Sequence, residues 1–234
     1  MTKPALLLLL FCLTSCSKPK ETFCIDGCIG SMTDGDTLVI AHSPDGIVLE
    51  ELSCTVVKDG RIHTQGTADC VEPAWLCHNA PNSNNSTLFF IEKGDITVVT
   101  DSSGYRITGT PLNDLHNSIK DTIISYLDRL EELEQLYYSK ELCEEQLAHL
   151  STHGLCMQER LVGYLRNVAR ENIHTPLGLY LLVVYNTLFT TQELCELEKL
   201  VPPSIIKGCN IPFYTALTAI IEERINKKQV HSNV

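Results

Sequence analysis

The chain has 234 residues, a formal net charge of −11, 44% apolar and 20% charged residues, and a mean hydropathy of +0.02. That length can bury one large core or two small ones, and the composition is too apolar for a disordered segment. The acidic balance and the lack of a basic stripe argue against a nucleic-acid partner, because phosphate neutralisation needs clustered Lys and Arg.

The N-terminus predicts an address before it predicts a fold. A short positive start, Met1 to Lys3, precedes an apolar run of nine residues from Ala5 to Leu13. The run is too short to span a bilayer, which takes about 20 residues, but suits the core of a signal peptide. The tetrad Leu13-Thr14-Ser15-Cys16 then resembles the bacterial lipobox. That resemblance implies acylation of Cys16, an anchor for a soluble body. Residues 1–15 are thus expected as a lipoprotein signal peptide and 16–22 as a tether. Ser17, rather than Asp, after the cysteine implies the outer membrane, with the body facing the periplasm.

Residues 23–109 predict strands. Phe23, Ile25, Gly27 and Ile29 alternate with Cys24, Asp26 and Cys28, the period-two pattern of a half-buried strand. Further strands are expected at 37–41, within 47–57, at 61–66, 75–78, 87–91, 96–100 and 105–108. Turns are expected at Ser43–Gly46 and Asp59-Gly60, with a polar loop from Asn79 to Ser86. An antiparallel β-sandwich or open barrel follows from this spacing.

Residues 110–230 predict helices. Thr110-Pro111 and Thr175-Pro176 are start signals, a Thr cap with Pro at the first helical position. Leu112, Leu115, Ile119, Ile123, Leu127, Leu130, Leu133 and Tyr137 form one apolar stripe. A helix over about 140–150 and another over about 157–171 are expected, separated at Gly154. The run Leu177 to Phe189 is apolar all round and predicts a buried central helix. Thr190 with Glu193 matches a capping box, and a last helix runs from Asn210 to about Lys228. The fold class is therefore α+β, a β-sandwich domain followed by an α-helical domain.

Eleven cysteines invite chemistry. Cys24 and Cys28 share a strand face about 13 Å apart, beyond bridging reach. Cys70 and Cys77 flank Glu72-Pro73, read as a turn, and form a candidate disulfide; buried thiols are the competing reading. No Cys-x-x-Cys occurs, so a thiol-exchange centre has no motif. His149, His153 and Cys156 are spaced like metal ligands, but a helix break at Gly154 and the lack of a fourth ligand leave them an inter-helix loop. Asn84 and Asn85 open glycosylation sequons, and Thr37 and Thr122 sit in triplets resembling exported-protein glycosylation sites; both patterns are common by chance. No phosphate-binding loop or nucleophile elbow occurs. No catalytic residue, cofactor or metal is expected; Cys16 is the one assigned site.

An ordered set of motifs carries a family resemblance. Phe23-x-Ile25-x-Gly27-x-Ile29, Asp59-Gly60-Arg61-Ile62 with Gly66, Phe90-Ile91-Glu92-Lys93-Gly94-x-Ile96 and Gly109-Thr110-x-Leu112-Asn113-Asp114 occur in sequence. Together they resemble the N-terminal domain of unknown function of Bacteroides-type thioredoxin-like lipoproteins. Ala169 to Gly178 is similar to the helical segment those proteins place before their thioredoxin domain. Ile62 and Thr64 stand where the family favours aromatics. The family continues into a thioredoxin domain with Trp-Cys-x-x-Cys; this sequence reaches Val234 without it, so that activity has no residues to be carried onto. The expected function is a non-catalytic, lipid-anchored binding or scaffolding module of the cell envelope, its partners the membrane and an envelope protein. The alternative is an accessory thiol-redox protein working with a separate thioredoxin-like partner.

Overall fold

A computed structural model of the chain describes residues 21–30, 32–43, 48–68, 70–79, 86–101, 104–138, 142–206 and 211–232. The signal peptide, Cys16, most of the tether, the turn over 44–46, the sequon loop, Cys209 and Asn210 lie outside the described residues. Among the described residues, eight strands form two four-stranded sheets. They are β1 (Glu21–Cys28), β2 (Thr37–His42), β3 (Glu50–Val56), β4 (Arg61–Ala68), β5 (Glu72–His78), β6 (Ser86–Ile91), β7 (Gly94–Asp101) and β8 (Gly104–Thr108). Sheet A has the order β4-β1-β7-β8 and sheet B the order β3-β2-β5-β6. The sandwich and the helices after it match the expected α+β fold. One pair departs from the antiparallel rule: β1 and β7 run parallel, because the chain builds the whole of sheet B between them.

The helices are α1 (Pro111–Tyr137), α2 (Glu144–Glu171), α3 (Pro176–Val184), α4 (Thr191–Glu198), α5 (Pro203–Ile206) and α6 (Ile211–Ser232). α1 runs beside β8 and β6, edge strands of the two sheets, while α3 packs on β5, so the helical core covers the outer face of sheet B and makes that sheet the middle of three layers. Leu38, Ile40, Leu76, Phe89 and Ile91 face Ile25, Ile96, Val98 and Ile107 of sheet A. Leu88 and Phe90 face the other way, into a core with Ile119, Leu165, Leu177, Leu181 and Leu217. A strand buried on both faces loses its polar alternation, which is why 88–91 reads Leu-Phe-Phe-Ile.

Several local expectations meet their physical counterparts. Asp59 and Gly60 adopt φ of 53° and 66°, and Lys58 and Arg61 exchange two backbone hydrogen bonds of 3.0 Å across them. That is the tight primed turn an Asp-Gly pair favours. Leu177, Leu179, Leu181 and Leu182 are fully buried in α3, but that helix ends at the exposed Val184, short of the expected Phe189, and a 3-10 turn over Asn186–Leu188 follows. Thr190 and Glu193 form the reciprocal capping box of α4. Glu193 also meets Arg166 and Arg170, and its carboxyl falls to about 2, chiefly through the Thr190 backbone N–H and then the Thr190 hydroxyl and Arg166.

Three expectations are corrected. The helices expected over 140–150 and 157–171 are one, α2, running unbroken through Gly154. A single interior glycine costs only about 1 kcal/mol relative to alanine, too little to break a helix supported on both sides. Glu72 and Pro73 are not a turn but the start of β5, so Cys70 lies two residues before the strand and Cys77 near its far end. The five strand steps from Glu72 to Cys77, at about 3.3 Å each, carry Cys77 well away from the Cys70 end, and Cys77 is in no disulfide. Cys70 is disulfide-bonded, while Cys77 keeps a fully buried thiol that burial pushes up. The apolar stripe of α1 is covered only near its start: Ile119 is buried, while Leu127 and Tyr137 are exposed.

Candidate functional site

Two places in the described residues gather polar chemistry. The first is the joint where β6, β7 and β8 meet the start of α1. Thr110 is the N-cap residue, but its hydroxyl does not cap the helix. Instead Glu92, at the end of β6, accepts from the backbone N–H of Leu112 (2.9 Å) and of Asn113 (3.3 Å). A carboxylate there satisfies first-turn donors and meets the positive end of the helix dipole.

Asn113, 1% exposed, then works like one residue of a neighbouring strand. Its Oδ1 accepts from the Phe90 N–H at 2.8 Å, and its Nδ2 donates to the Phe90 carbonyl and to Thr110 Oγ1, both at 2.7 Å. Phe90 lies on the edge strand of sheet B opposite Pro73, so the side-chain amide covers edge groups that no strand reaches. Asn117 donates from Nδ2 to the Ile107 carbonyl and, at 2.8 Å, to the Asn113 carbonyl. Gly109 holds the corner at φ +100°, and a Cβ there would stand 2.4 Å from the Asp95 carbonyl oxygen.

Next to this network, aromatic rings close a loop between sheet B and the helices. Phe90 meets His116 edge-on at 5.9 Å, His116 meets Tyr180 at 5.8 Å, Tyr180 meets Phe213 at 5.8 Å, and Phe213 stacks on Trp75 at 6.2 Å. Burial in this apolar setting, with Lys120 adding a smaller effect, lowers His116 to about 4, so the ring is neutral near pH 7. Tyr180 is pushed up to about 12, first by burial. These groups hold the layers together. An open groove of about 570 Å³ runs alongside between β8 and α1, bridged by the two-pronged Arg106–Asp121 pair at 2.7 and 2.9 Å.

The second place is the outer face of sheet A. Cys24 and Asp26 point outward from β1, as the alternation predicts, and His63 stands opposite Asp26 on β4. The Cys24 thiol donates to Asp26 Oδ2 at 3.3 Å, His63 Nδ1 is 2.7 Å from Asp26 Oδ1, and Cys24 Sγ is 3.8 Å from the same Nδ1. The His63 hydrogen bond, then that of Cys24, lowers the Asp26 carboxyl; the Asp26 hydrogen bond, more than burial, raises the Cys24 thiol. A nucleophilic relay needs base and orienting carboxylate on different ring nitrogens. Here both neighbours meet Nδ1, and the thiol is held protonated, the reverse of an activated exchange cysteine.

Among the described residues this is the one group of three or more His, Cys, Asp or Glu side chains whose ligand atoms lie within 4.8 Å of each other. His149, His153 and Cys156 lie along α2, with both histidines exposed, and do not form such a group. Sequence reasoning placed Cys24 and Asp26 on one face but missed His63, because the pairing that brings it there spans 37 residues. It also missed Glu92, Asn113, His116 and Asn117 as buried groups.

No curated protein and no solved structure matches the chain. Residues 23–116 match the family model described as Domain of unknown function (DUF4369). The match starts in β1 and ends at His116, so it takes in both sheets, the Cys24 face and the joint as far as the second turn of α1. The N-terminal part of this chain is therefore a domain of unknown function, completed by the helix that seals its sheet edge.

Proposed function

We propose that this protein is a non-catalytic, lipid-anchored binding or scaffolding module of the cell envelope, held at the outer membrane and facing the periplasm. The observation that carries the reading is the Leu13-Thr14-Ser15-Cys16 tetrad behind a signal-like apolar run. β1 begins at Glu21, five residues after Cys16, and five extended residues reach at most about 18 Å. Acyl chains on Cys16 would hold the sandwich against the headgroups. Among the described residues no helix is long and apolar enough to cross a membrane, so the anchor would be the membrane attachment this reading relies on.

The resemblance to the module that precedes thioredoxin domains in exported lipoproteins supports an envelope protein as partner. The joint supports a scaffolding role, since its buried polar groups are spent on fixing one layer to another. Replacing Cys16 by Ala in the full chain tests the proposal. Incorporation of labelled palmitate and recovery in the membrane fraction are both expected to disappear; a variant that stays membrane-bound and labelled overturns it.

A further inference from the structure

We propose that Cys24, Asp26 and His63 form a binding site for a zinc-class divalent metal ion on the outer face of sheet A. The donor set is a thiol, an imidazole and a carboxylate, the mixture that suits zinc and its neighbours and that calcium or magnesium, which take oxygen, would not select.

The spacing fits. Ligands at about 2.0–2.3 Å around a tetrahedral ion stand roughly 3.3–3.7 Å from each other. Cys24 Sγ lies 3.3 Å from Asp26 Oδ2 and 3.8 Å from His63 Nδ1, close to those edges. The 2.7 Å contact between His63 Nδ1 and Asp26 Oδ1 is a hydrogen bond that an ion would open, with Oδ2 taking the ligand position.

The backbone beneath is fixed on both sides. β1 is hydrogen-bonded to β4 and to β7, and Asp26 and His63 are direct cross-strand partners, with Cys24 two residues along on the same face. Cys24 also lines an open groove of about 520 Å³ with Gln65, Lys93 and Asp95. The fourth position is thus open to solvent, for water, an anion or a donor from another protein. Binding replaces the thiol proton: the Cys24 S–H bond breaks, the proton passes to solvent, and the sulfur electron pair goes to the ion.

The probe is cobalt(II), then zinc, added to the full chain in detergent with a non-chelating reductant. One equivalent of cobalt should give a thiolate charge-transfer band that zinc bleaches. Cys24→Ser should abolish the band, and His63→Gln should weaken binding by about 100-fold or more. His153→Gln on α2 should change nothing. All three positions are on exposed or half-exposed faces, so folding should survive. As a check that needs no variant, one equivalent of zinc should protect Cys24 from alkylation while Cys54 remains reactive. The absence of a band, a band that persists in Cys24→Ser, or equal alkylation of Cys24 with and without zinc overturns the site.

Discussion

Asn113→Ala is the sharpest probe of the architecture. The side chain makes three hydrogen bonds of 2.7–2.8 Å in a place 1% exposed. Alanine leaves the Phe90 N–H and carbonyl without their partner on a strand edge that α1 covers. Each buried orphaned group costs about 1–3 kcal/mol, and water entering the vacated space offsets part of that, so a loss of about 3–4 kcal/mol is expected. Against a total stability of about 5–15 kcal/mol that is a large fraction. Urea unfolding of the full chain should show a lower midpoint with an unchanged slope, the mark of altered stability rather than altered compactness. Asn113→Asp separates the two halves of the amide: it keeps an acceptor for the Phe90 N–H, lacks the donor for the Phe90 carbonyl, and adds charge beside Glu92. It should be no more stable than the alanine variant near neutral pH, and should recover as pH falls and the new carboxyl is protonated. An alanine variant within about 0.5 kcal/mol of the parent would refute the reading of Asn113 as a surrogate strand residue.

Two further perturbations test the packing and the titration. Gly109→Ala and Gly178→Ala should each destabilise by at least about 2 kcal/mol, because their Cβ atoms would stand 2.4 Å from the Asp95 carbonyl oxygen and 2.0 Å from the Asn172 carbonyl oxygen; Gly163→Ala, with nothing within 4 Å, should stabilise by up to about 1 kcal/mol in the same urea assay. His116 is held near 4 in the fold against 6.5 in the free side chain, so the unfolded chain binds the extra proton first. Stability should be complete above about pH 6.5 and decline as pH falls through that window, by about 3 kcal/mol at pH 4. His116→Phe keeps the ring contacts and should remove that part of the pH dependence; an unchanged acid limb would show that His116 is not its source.

What the sequence disclosed follows the range of the interactions. The capping box at Thr190 and Glu193, the Asp59-Gly60 turn and the start of α3 depend on residues within four of each other, and local pattern found them. Local pattern found β6 as a strand, but its burial between two cores, which explains the missing alternation of Leu88 to Ile91, came only with the packing of the helices. The Gly154 break failed because propensity is a weak local preference that tertiary packing and helix continuity override. Asn113 and Asn117 escaped because polar residues in the first turns of a helix ordinarily face water; only the approach of β6 and β8 buries them. His63 joins Cys24 and Asp26 through register alone, and register between distant strands leaves no mark in a single sequence.

The placing of β1 bears on how the body carries a load. The strand nearest the N-terminus is not on an edge: it sits inside sheet A, laddered to β4 on one side and β7 on the other. A pull on the chain ahead of Glu21 therefore runs along the strand and shears two ladders at once, where an edge strand would peel open bond by bond. Any force that reaches the sandwich through that tether is met by two ladders at once, and one of them, with β7, borders the joint with α1.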